Sequence, residues 1–526
     1  MKNVLLIYPE FSPYGFWNYK DVCKMTGAKY PAAPLGLITL AALLPQQWNI
    51  RLLDMNTTEL HDDDIDNSDL VFVGGMLPQQ VNFLRLIDRI HSRGKKVVAG
   101  GPDPTSQPEV YSKADYLVLG EAEHSIHPFL TDLENGAEGG IYYPGEDRPD
   151  ITKSPVPRFD LLNFKDYIMI GVQFSRGCPF NCEFCDIIEL YGRTPRTKTP
   201  EQIVGEFDAL YKLGHRGHID FVDDNFVGNK TRAKNILRAI KAWLIEHKYP
   251  FYFSTEASIN LADDEELLQL MADVDMRYVF IGIESTDDEV LKSSQKKQNI
   301  NRKLEDDLHK IYEYGMIVNG GYIIGFDDET SQSARSIAGA VEYGKICMAM
   351  ISFLYALPNT QLTRRLEKEG RLFEDQGKID ENNAIIIDQT TTGLNFITKR
   401  PRSEIINDLK FVLETVYERK SYFNRCLALG KVLKTSRKYK PSPGKILRVS
   451  YSLLKLIGKL GLRPSTAYYF WRNLLVILFT RPSSAEDVAN LMAMYIHFRK
   501  QTNYIIESMN SMLEKTPKEI IEQVEV

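Results

Sequence analysis

Three cysteines fall within eight residues, in Ser175-Arg176-Gly177-Cys178-Pro179-Phe180-Asn181-Cys182-Glu183-Phe184-Cys185. Thiolates this close together read as metal ligands, and six cysteines in a chain of 526 residues do not make a disulfide framework. A complete iron–sulfur or zinc site takes four ligands. Three ligands with no fourth nearby leave one iron of a 4Fe–4S cluster open, able to coordinate a small molecule and pass it an electron. Two plainer readings share the spacing: a structural zinc completed by a distant His, or three unpaired core cysteines. Zinc spacing usually shows two pairs with two-residue gaps, and no second pair follows here. Cys23, Cys347 and Cys426 stand alone and read as small buried apolar residues. The nine histidines show no ligand spacing; His215 and His218 flank a strand start.

The triplet needs a scaffold, and the pattern around it supplies one. Apolar strands are expected at 171–175, 218–223, 251–256, 278–284, 317–324 and 351–357, with helical periodicity between them. One intervening helix opens at Thr199-Pro200-Glu201, a cap followed by Pro at the first helical position. Six βα units imply a partial (β/α)6 barrel whose chemistry sits at the carboxyl ends of its strands. Those ends carry Asp223-Asp224-Asn225, Glu256, Glu284-Ser285 and Gly325. Singly, each is as readily a helix cap or a solvated acid. On successive strand ends they read as one site.

A second α/β unit precedes the barrel. Strands at 4–8, 50–53, 70–73, 96–99 and 116–119 alternate with helical stretches such as 36–44 and 80–92, which implies a doubly wound parallel sheet. Its strands lead into Pro9-Glu10, Asp54-Met55-Asn56, Gly74-Gly75-Met76, Gly100-Gly101-Pro102 and Gly120-Glu121. Ligands of such sheets lie beyond these ends, and glycines there admit a large flat cofactor, though any one pair is equally an ordinary tight turn. The organisation expected is residues 1–135 as this α/β domain, 136–168 as a linker rich in Gly and Pro, 169–370 as the barrel, and 371–526 as a mainly helical domain.

Between residues 419 and 463 there are thirteen Lys or Arg and no Asp or Glu, against a whole-chain charge of −6. Arg448, Ser452, Lys455 and Lys459 share one helix face, opposite Ile446, Leu447, Leu453, Leu454, Ile457 and Leu460. This is either a solvated helix docked on the barrel or a basic amphipathic surface for anionic headgroups. A basic patch would also suit phosphates, but no RNA-binding module is recognisable, so nucleic acid is not the expected partner. The opening MKNVLLIYPE reads as a first strand rather than a signal peptide, and the apolar run at 468–480 is too short to span a bilayer. The expectation is a cytoplasmic protein, with peripheral membrane contact through 419–463.

The C-x3-C-x2-C spacing with Phe184 before its last cysteine resembles the signature of radical S-adenosylmethionine (SAM) enzymes. The resemblance implies a 4Fe–4S cluster on Cys178, Cys182 and Cys185 whose open iron chelates the methionine moiety. One-electron cleavage then gives a 5′-deoxyadenosyl radical, with orientation and exclusion of water left to the barrel. It implies SAM contacts at Phe184, Asp223, Asp224, Glu256, Glu284, Ser285 and Gly325. The family often has Gly-Gly-Glu where this chain reads Asp223-Asp224-Asn225.

The order of doubly wound domain, linker and barrel resembles the cobalamin-binding branch of these enzymes, as do Ala33-Pro34-Leu35-Gly36-Leu37, Ala99-Gly100-Gly101-Pro102 and Leu119-Gly120-Glu121-Ala122-Glu123. Cobalamin contacts are implied at Asp54, Asn56, Gly74, Gly75, Met76, Gly100, Gly101, Gly120 and Glu121. Many cobalamin domains supply a lower axial His in the loop after the first strand; Glu10-Phe11-Ser12-Pro13-Tyr14-Gly15 has none. The stretch from Leu357-Pro358-Asn359 to Gly370-Arg371-Leu372, the helical tail, Tyr8-Pro9-Glu10-Phe11 and Phe16-Trp17 resemble the branch that includes hopanoid C-2 methylases. The implied activity is methylation of an unactivated carbon on a hydrophobic or lipid-like substrate. It would use two SAM molecules per turnover and a reduced flavodoxin or ferredoxin-type donor. Alternatives are a radical cyclase or rearrangement enzyme without methyl transfer, and an iron–sulfur redox sensor with a membrane-associating tail.

Overall fold

The computed structural model describes residues 2–12, 15–145, 147–373 and 393–515. Among them, two parallel sheets and a helical bundle account for most of the chain. In chain order the strands of the first half are β1 (Asn3–Tyr8), β2 (Tyr30–Ala32), β3 (Asn49–Asp54), β4 (Leu70–Gly74), β5 (Val97–Gly100), β6 (Tyr116–Val118) and β7 (Gly140–Tyr142). Six of these form a parallel sheet in the order β3-β1-β4-β5-β6-β7. Alternate residues feed two cores, Leu5, Ile7, Val71 and Val73 on one face and Val4, Leu6, Leu70 and Phe72 on the other. This is the doubly wound arrangement the strand runs imply. Strand order reverses between β1 and β4, which makes that crevice the place where such a sheet takes a ligand.

Two strands fall outside the expected boundaries. β7 comes from the stretch read as linker and extends the front sheet beside β6, Leu117 opposite Ile141. β2 leaves the front unit and becomes an edge of the barrel sheet, Tyr30 opposite Tyr167 and Ala32 opposite Met169.

The barrel consists of β8 (Tyr167–Val172), β11 (Gly217–Phe221), β12 (Phe251–Ala257), β13 (Met276–Glu284), β14 (Ile317–Ile324) and β15 (Met348–Phe353). Between the first two lies a short antiparallel pair, β9 (Ser175–Arg176) and β10 (Arg196–Thr197). With β2, the barrel strands form an open parallel sheet ordered β15-β14-β13-β12-β11-β8-β2. The helix Pro200–Lys212 is closed at its start by a capping box between Thr199 and Gln202.

From residue 402 onward the described chain is mainly helical, and its core is continuous with that of the barrel through residues such as Leu409, Tyr422, Phe498 and Met509. The basic segment packs on the rest of the chain with its expected faces reversed. In the helix Pro443–Leu456 the polar face is the one turned inward. Arg448 donates to the Thr26 carbonyl, Ser452 Oγ to Met25 O at 3.0 Å, and Lys455 Nζ to Lys24 O at 3.3 Å. These carbonyls end the helix Lys20–Thr26, where unpaired acceptors and the negative end of the helix dipole favour cations. Ile446, Leu453 and Leu454 face solvent instead; Leu460 is buried, and the side chain of Leu447 lies outside the described set.

Candidate active site

The cysteine loop leaves the carboxyl end of β8 and is fixed at its entrance by Asp223, which follows β11. This carboxylate accepts from the Phe174 amide at 3.1 Å, from the Ser175 amide and from Ser175 Oγ. Burial pushes its pKa up to about 7 despite these donors. Asp223 is therefore committed to positioning the loop. Gly177 comes next, at φ +90°, where a Cβ would lie 2.7 Å from the Gly192 carbonyl oxygen. Its amide donates to Asp224 Oδ2 at 3.2 Å.

The far half of the loop is held from the barrel's other side. The Glu183 amide donates to Ser294 O at 3.1 Å and the Leu362 amide to Glu183 O at 2.8 Å. The Glu183 carboxylate pairs with Arg365 at 3.0 Å, and Arg365 pairs also with Asp327, the partner of Arg371. Phe184 packs edge-to-face on Phe326, which follows Gly325, with ring centroids 5.7 Å apart.

All three cysteines are free. Amide donors reach two of them: Asn225 Nδ2 lies 3.7 Å from Cys178 Sγ, and Gln298 Nε2 lies 3.7 Å from Cys182 Sγ. Gln298 Oε1 is buried without a partner. Burial raises the thiol pKa of Cys182 and Cys185, which keeps both protonated while no metal is bound. Among the described residues no three or more His, Cys, Asp or Glu side chains converge on a single-ion position. A cluster spreads its thiolates over three irons and does not require that convergence. Lys296 stands beside Cys182 and Cys185; burial opposes its charge, but Glu284, paired with it at 2.8 Å, and those thiols hold its pKa above the ordinary value. Glu284 itself sits at φ +66°, where the register between β13 and β14 shifts. A non-glycine residue held there marks a site that its surroundings over-determine.

Next to the loop the barrel mouth is acidic. Glu256 is surrounded by protein atoms, yet its side chain remains open to solvent. Burial, followed by the nearby charges of Asp220, Asp224 and Asp223, pushes its pKa up to about 8. Asp224 is raised to about 6, again mainly by burial, with Asp186 adding to it. These carboxylates repel one another, with Arg176 only partly offsetting the charge at Asp224, an arrangement that favours a positively charged ligand. Farther inside, Trp17 meets Phe280 of β13 edge-to-face at 5.3 Å, and Trp17 is about 40% exposed. Ser285 and Gly325 are engaged by backbone contacts: Asp287 N donates to Ser285 Oγ at 3.2 Å and Gly325 N to Glu329 Oε2 at 2.9 Å.

The front sheet presents the carboxyl ends of its strands toward this mouth. Asn359, after β15, donates to Ser106 O at 2.7 Å. Arg176 of the cysteine loop pairs with Glu121 at 2.7 Å and Glu123 at 2.8 Å, and Arg196 pairs with Glu121 at 2.7 Å. Glu121 thus joins the two sheets. Asp54 and Asn56 are also spent on protein: Asp54 accepts from Tyr167 OH at 2.9 Å and from Asn56, whose amide donates to Pro9 O at 3.1 Å. The sequence signals did not single out Arg176, Arg196, Lys296 or Gln298, because their partners come from distant stretches.

Gly74 and Gly100 are cross-strand neighbours at the ends of β4 and β5. Gly101 follows at φ +103°, so close that a Cβ would lie 2.8 Å from Gly75 O. They make a backbone ledge at the ends of β4 and β5, with Leu37 packed against Gly74, Phe83 against Gly75, and Met76 about 40% exposed nearby. Gly120, at φ +72°, is confined by Pro144.

The radical SAM superfamily model matches residues 172–339, and a model described as a domain of unknown function (DUF4070) matches residues 360–511. An uncharacterized methyltransferase of a Synechocystis strain is 38% identical over 97% of this chain and 94% of its own length. The hopanoid C-2 methylase of Rhodopseudomonas palustris is 31% identical over 94% of this chain and 92% of its own. Among solved structures, the cobalamin-dependent SAM radical enzyme OxsB with aqua-cobalamin and SAM bound aligns with a TM-score of 0.58. The alignment covers 99% of this chain and 82% of that one at 15% identity. The methyltransferase TsrM from Kitasatospora setae aligns at 0.57, over 70% and 76% of the two chains, at 18% identity. These two likenesses are of fold.

Proposed function

We propose, from the premise that this chain belongs to the radical SAM superfamily and within it to the methyltransferase family that includes the hopanoid C-2 methylase, that it is a cobalamin-dependent C-methyltransferase acting on a hydrophobic, lipid-like substrate. The observation that carries this reading is the juxtaposition of the cysteine loop, the acidic mouth and the glycine ledge, with the two sheets tied together through Arg176. Cys178, Cys182 and Cys185 would hold the cluster. Asp224, Glu256 and Glu284 would meet the cationic parts of SAM, and the ledge at Gly74, Gly75, Gly100 and Gly101 would seat the corrin. When bound, the cluster supplies the electron that turns SAM into a hydrogen-abstracting radical, and cobalamin supplies the methyl group.

The chain's own residues do the rest. Asp223 fixes where the loop starts, and Glu183 with Arg365 fixes where it ends. The Asn225 and Gln298 amides point at two sulfurs and stabilise their negative charge. The carboxylates of the mouth favour a sulfonium and an ammonium over a neutral product. Trp17 and Phe280 line the inner space with apolar surface suited to a hydrocarbon substrate. Reduced flavodoxin or a ferredoxin-type protein would deliver the electron.

The test is transfer of label from methyl-labelled SAM into lipid extracts, with anaerobically reconstituted protein in the presence and absence of cobalamin. The reading expects labelled lipid only with cobalamin. Cleavage of SAM without any methylated product, whatever the cobalamin content, would instead indicate a radical rearrangement.

A further inference from the structure

The helix Ala467–Thr480 exposes apolar residues where a surface helix should be polar. Tyr468, Trp471, Leu475, Leu478 and Phe479 recur at helical spacing and share one face. Phe479 is 86% exposed and Tyr468 68%. The opposite face, with Phe470, Asn473 and Ile477, is fully buried against the bundle. A helix that is apolar on both faces is normally covered on both. The helix Pro443–Leu456 adds exposed Ile446, Val449, Tyr451 and Leu454, because its polar side is occupied with the Lys20–Thr26 carbonyls. Exposed Leu462 lies between the two helices.

We infer that this face, built on the helices Pro443–Leu456 and Ala467–Thr480, seats the protein on the surface of a bilayer containing anionic lipid. At fourteen residues the second helix is about 21 Å long, shorter than a bilayer's hydrocarbon core. No helix among the described residues is long and apolar enough to cross a membrane. The helix therefore lies in the interface plane with its apolar stripe down.

Charge selects the occupant. Residues 419–485 contain fifteen Lys or Arg and no Asp or Glu, and even with Arg425, Lys434, Arg437 and Lys438 paired to acids elsewhere in the chain the segment keeps a positive excess. Arg463 is exposed in the turn between the helices. Lys455 lies 4.4 Å from the Tyr451 ring centroid, and Arg472 lies 5.7 Å from that of Tyr468. Cations beside exposed aromatic rings suit the headgroup level, where the ring is half-immersed and the charge meets phosphate. A two-fold contact between copies would bring the cations of this face, Lys455, Arg463 and Arg472 among them, against their own copies, which like-charge repulsion opposes. The inference goes beyond the catalytic reading and does not depend on it.

The experiment is flotation of the full chain, without SAM or iron, on vesicles of phosphatidylcholine alone and of phosphatidylcholine mixed with phosphatidylglycerol. Light scattering gives the mass in solution. Wild type is expected to float with the anionic vesicles and to show quenching of Trp471 by brominated acyl chains. Leu475→Asp with Phe479→Asp should weaken binding by roughly tenfold or more, since each charge must enter the acyl boundary. Phe479→Leu should retain it. Both changes are at solvent-facing positions, and circular dichroism checks that the fold is kept. Failure of wild type to float overturns the inference. So does equal flotation of the aspartate variant, or a dimer that the same variant dissociates.

Discussion

Replacing Arg176 with Met would test whether a buried ion-pair cluster holds the two sheets mouth to mouth. The Arg176 side chain is 10% exposed and pairs with Glu121 and Glu123. In the variant Glu121 keeps Arg196, so the loss falls on Glu123, which retains the Ser154 hydroxyl and its own backbone amide. Burial alone would raise the Glu123 pKa, but Arg176 overcomes it and holds the carboxyl at about 2 against an ordinary 4.5. That depression corresponds to about 3 kcal/mol at ~1.4 kcal/mol per pH unit, similar to the ~3–5 kcal/mol expected when a buried pair loses one partner. The sign follows from a folded-state pKa below the unfolded one. The stabilisation is complete above about pH 4.5 and disappears as pH falls toward 2. Arg176→Met should therefore cost about 3 kcal/mol in urea unfolding of the apoprotein at neutral pH, with faster hydrogen exchange in the helix Ala122–Glu134. The gap from wild type should narrow in acid. Adding Glu123→Gln should recover part of the loss by removing an unpaired buried charge. A neutral-pH cost below about 0.5 kcal/mol, or one that does not change in acid, would refute the reasoning.

Three further outcomes are expected. Gly177→Ala forces a Cβ against the Gly192 carbonyl at a left-handed φ; the strain of about 1–3 kcal/mol should shift the loop and lower iron retention after anaerobic reconstitution, measured by iron analysis. Asp223→Ala frees the Phe174 and Ser175 donors and should lose most of the iron, while the front domain keeps its thermal transition. With a Glu256 pKa near 8 in the empty mouth, cation binding must displace a proton, so SAM affinity should rise from pH 6 to pH 8. Glu256→Gln should flatten that slope in equilibrium binding.

The cysteine loop and most strand ends were legible because their signals are local. Spacing brought out the three cysteines as candidate ligands, and apolar runs bounded by acids or glycines located β11 to β14 within one or two residues. What could not be read was pairing across distance. β2 joins the barrel because Tyr30 finds Tyr167, a partner more than a hundred residues later. Glu121 looked like a ligand at a strand end, and only the fold shows Arg176 and Arg196 already beside it. Asp223 and Asp224 are neighbours of identical type. The first is consumed by backbone amides and the second remains at the mouth, a distinction no pattern of residue types contains. The helix Pro443–Leu456 shows the same limit: periodicity set its polar residues apart from Ile446, Leu453 and Leu454, but which face turns inward depended on the unpaired carbonyls that end another helix. The expectations for 374–392 and 516–526 lie outside the described residues.

Iron and sulfide analysis of anaerobically reconstituted wild type and Cys182→Ala, each followed by an assay for SAM cleavage, bears most directly on the whole account. The account predicts about four iron and four sulfide per wild-type chain with reductive cleavage of SAM, and loss of both in the variant. One zinc per chain in place of iron, or a variant that cleaves as fast as wild type, would contradict it.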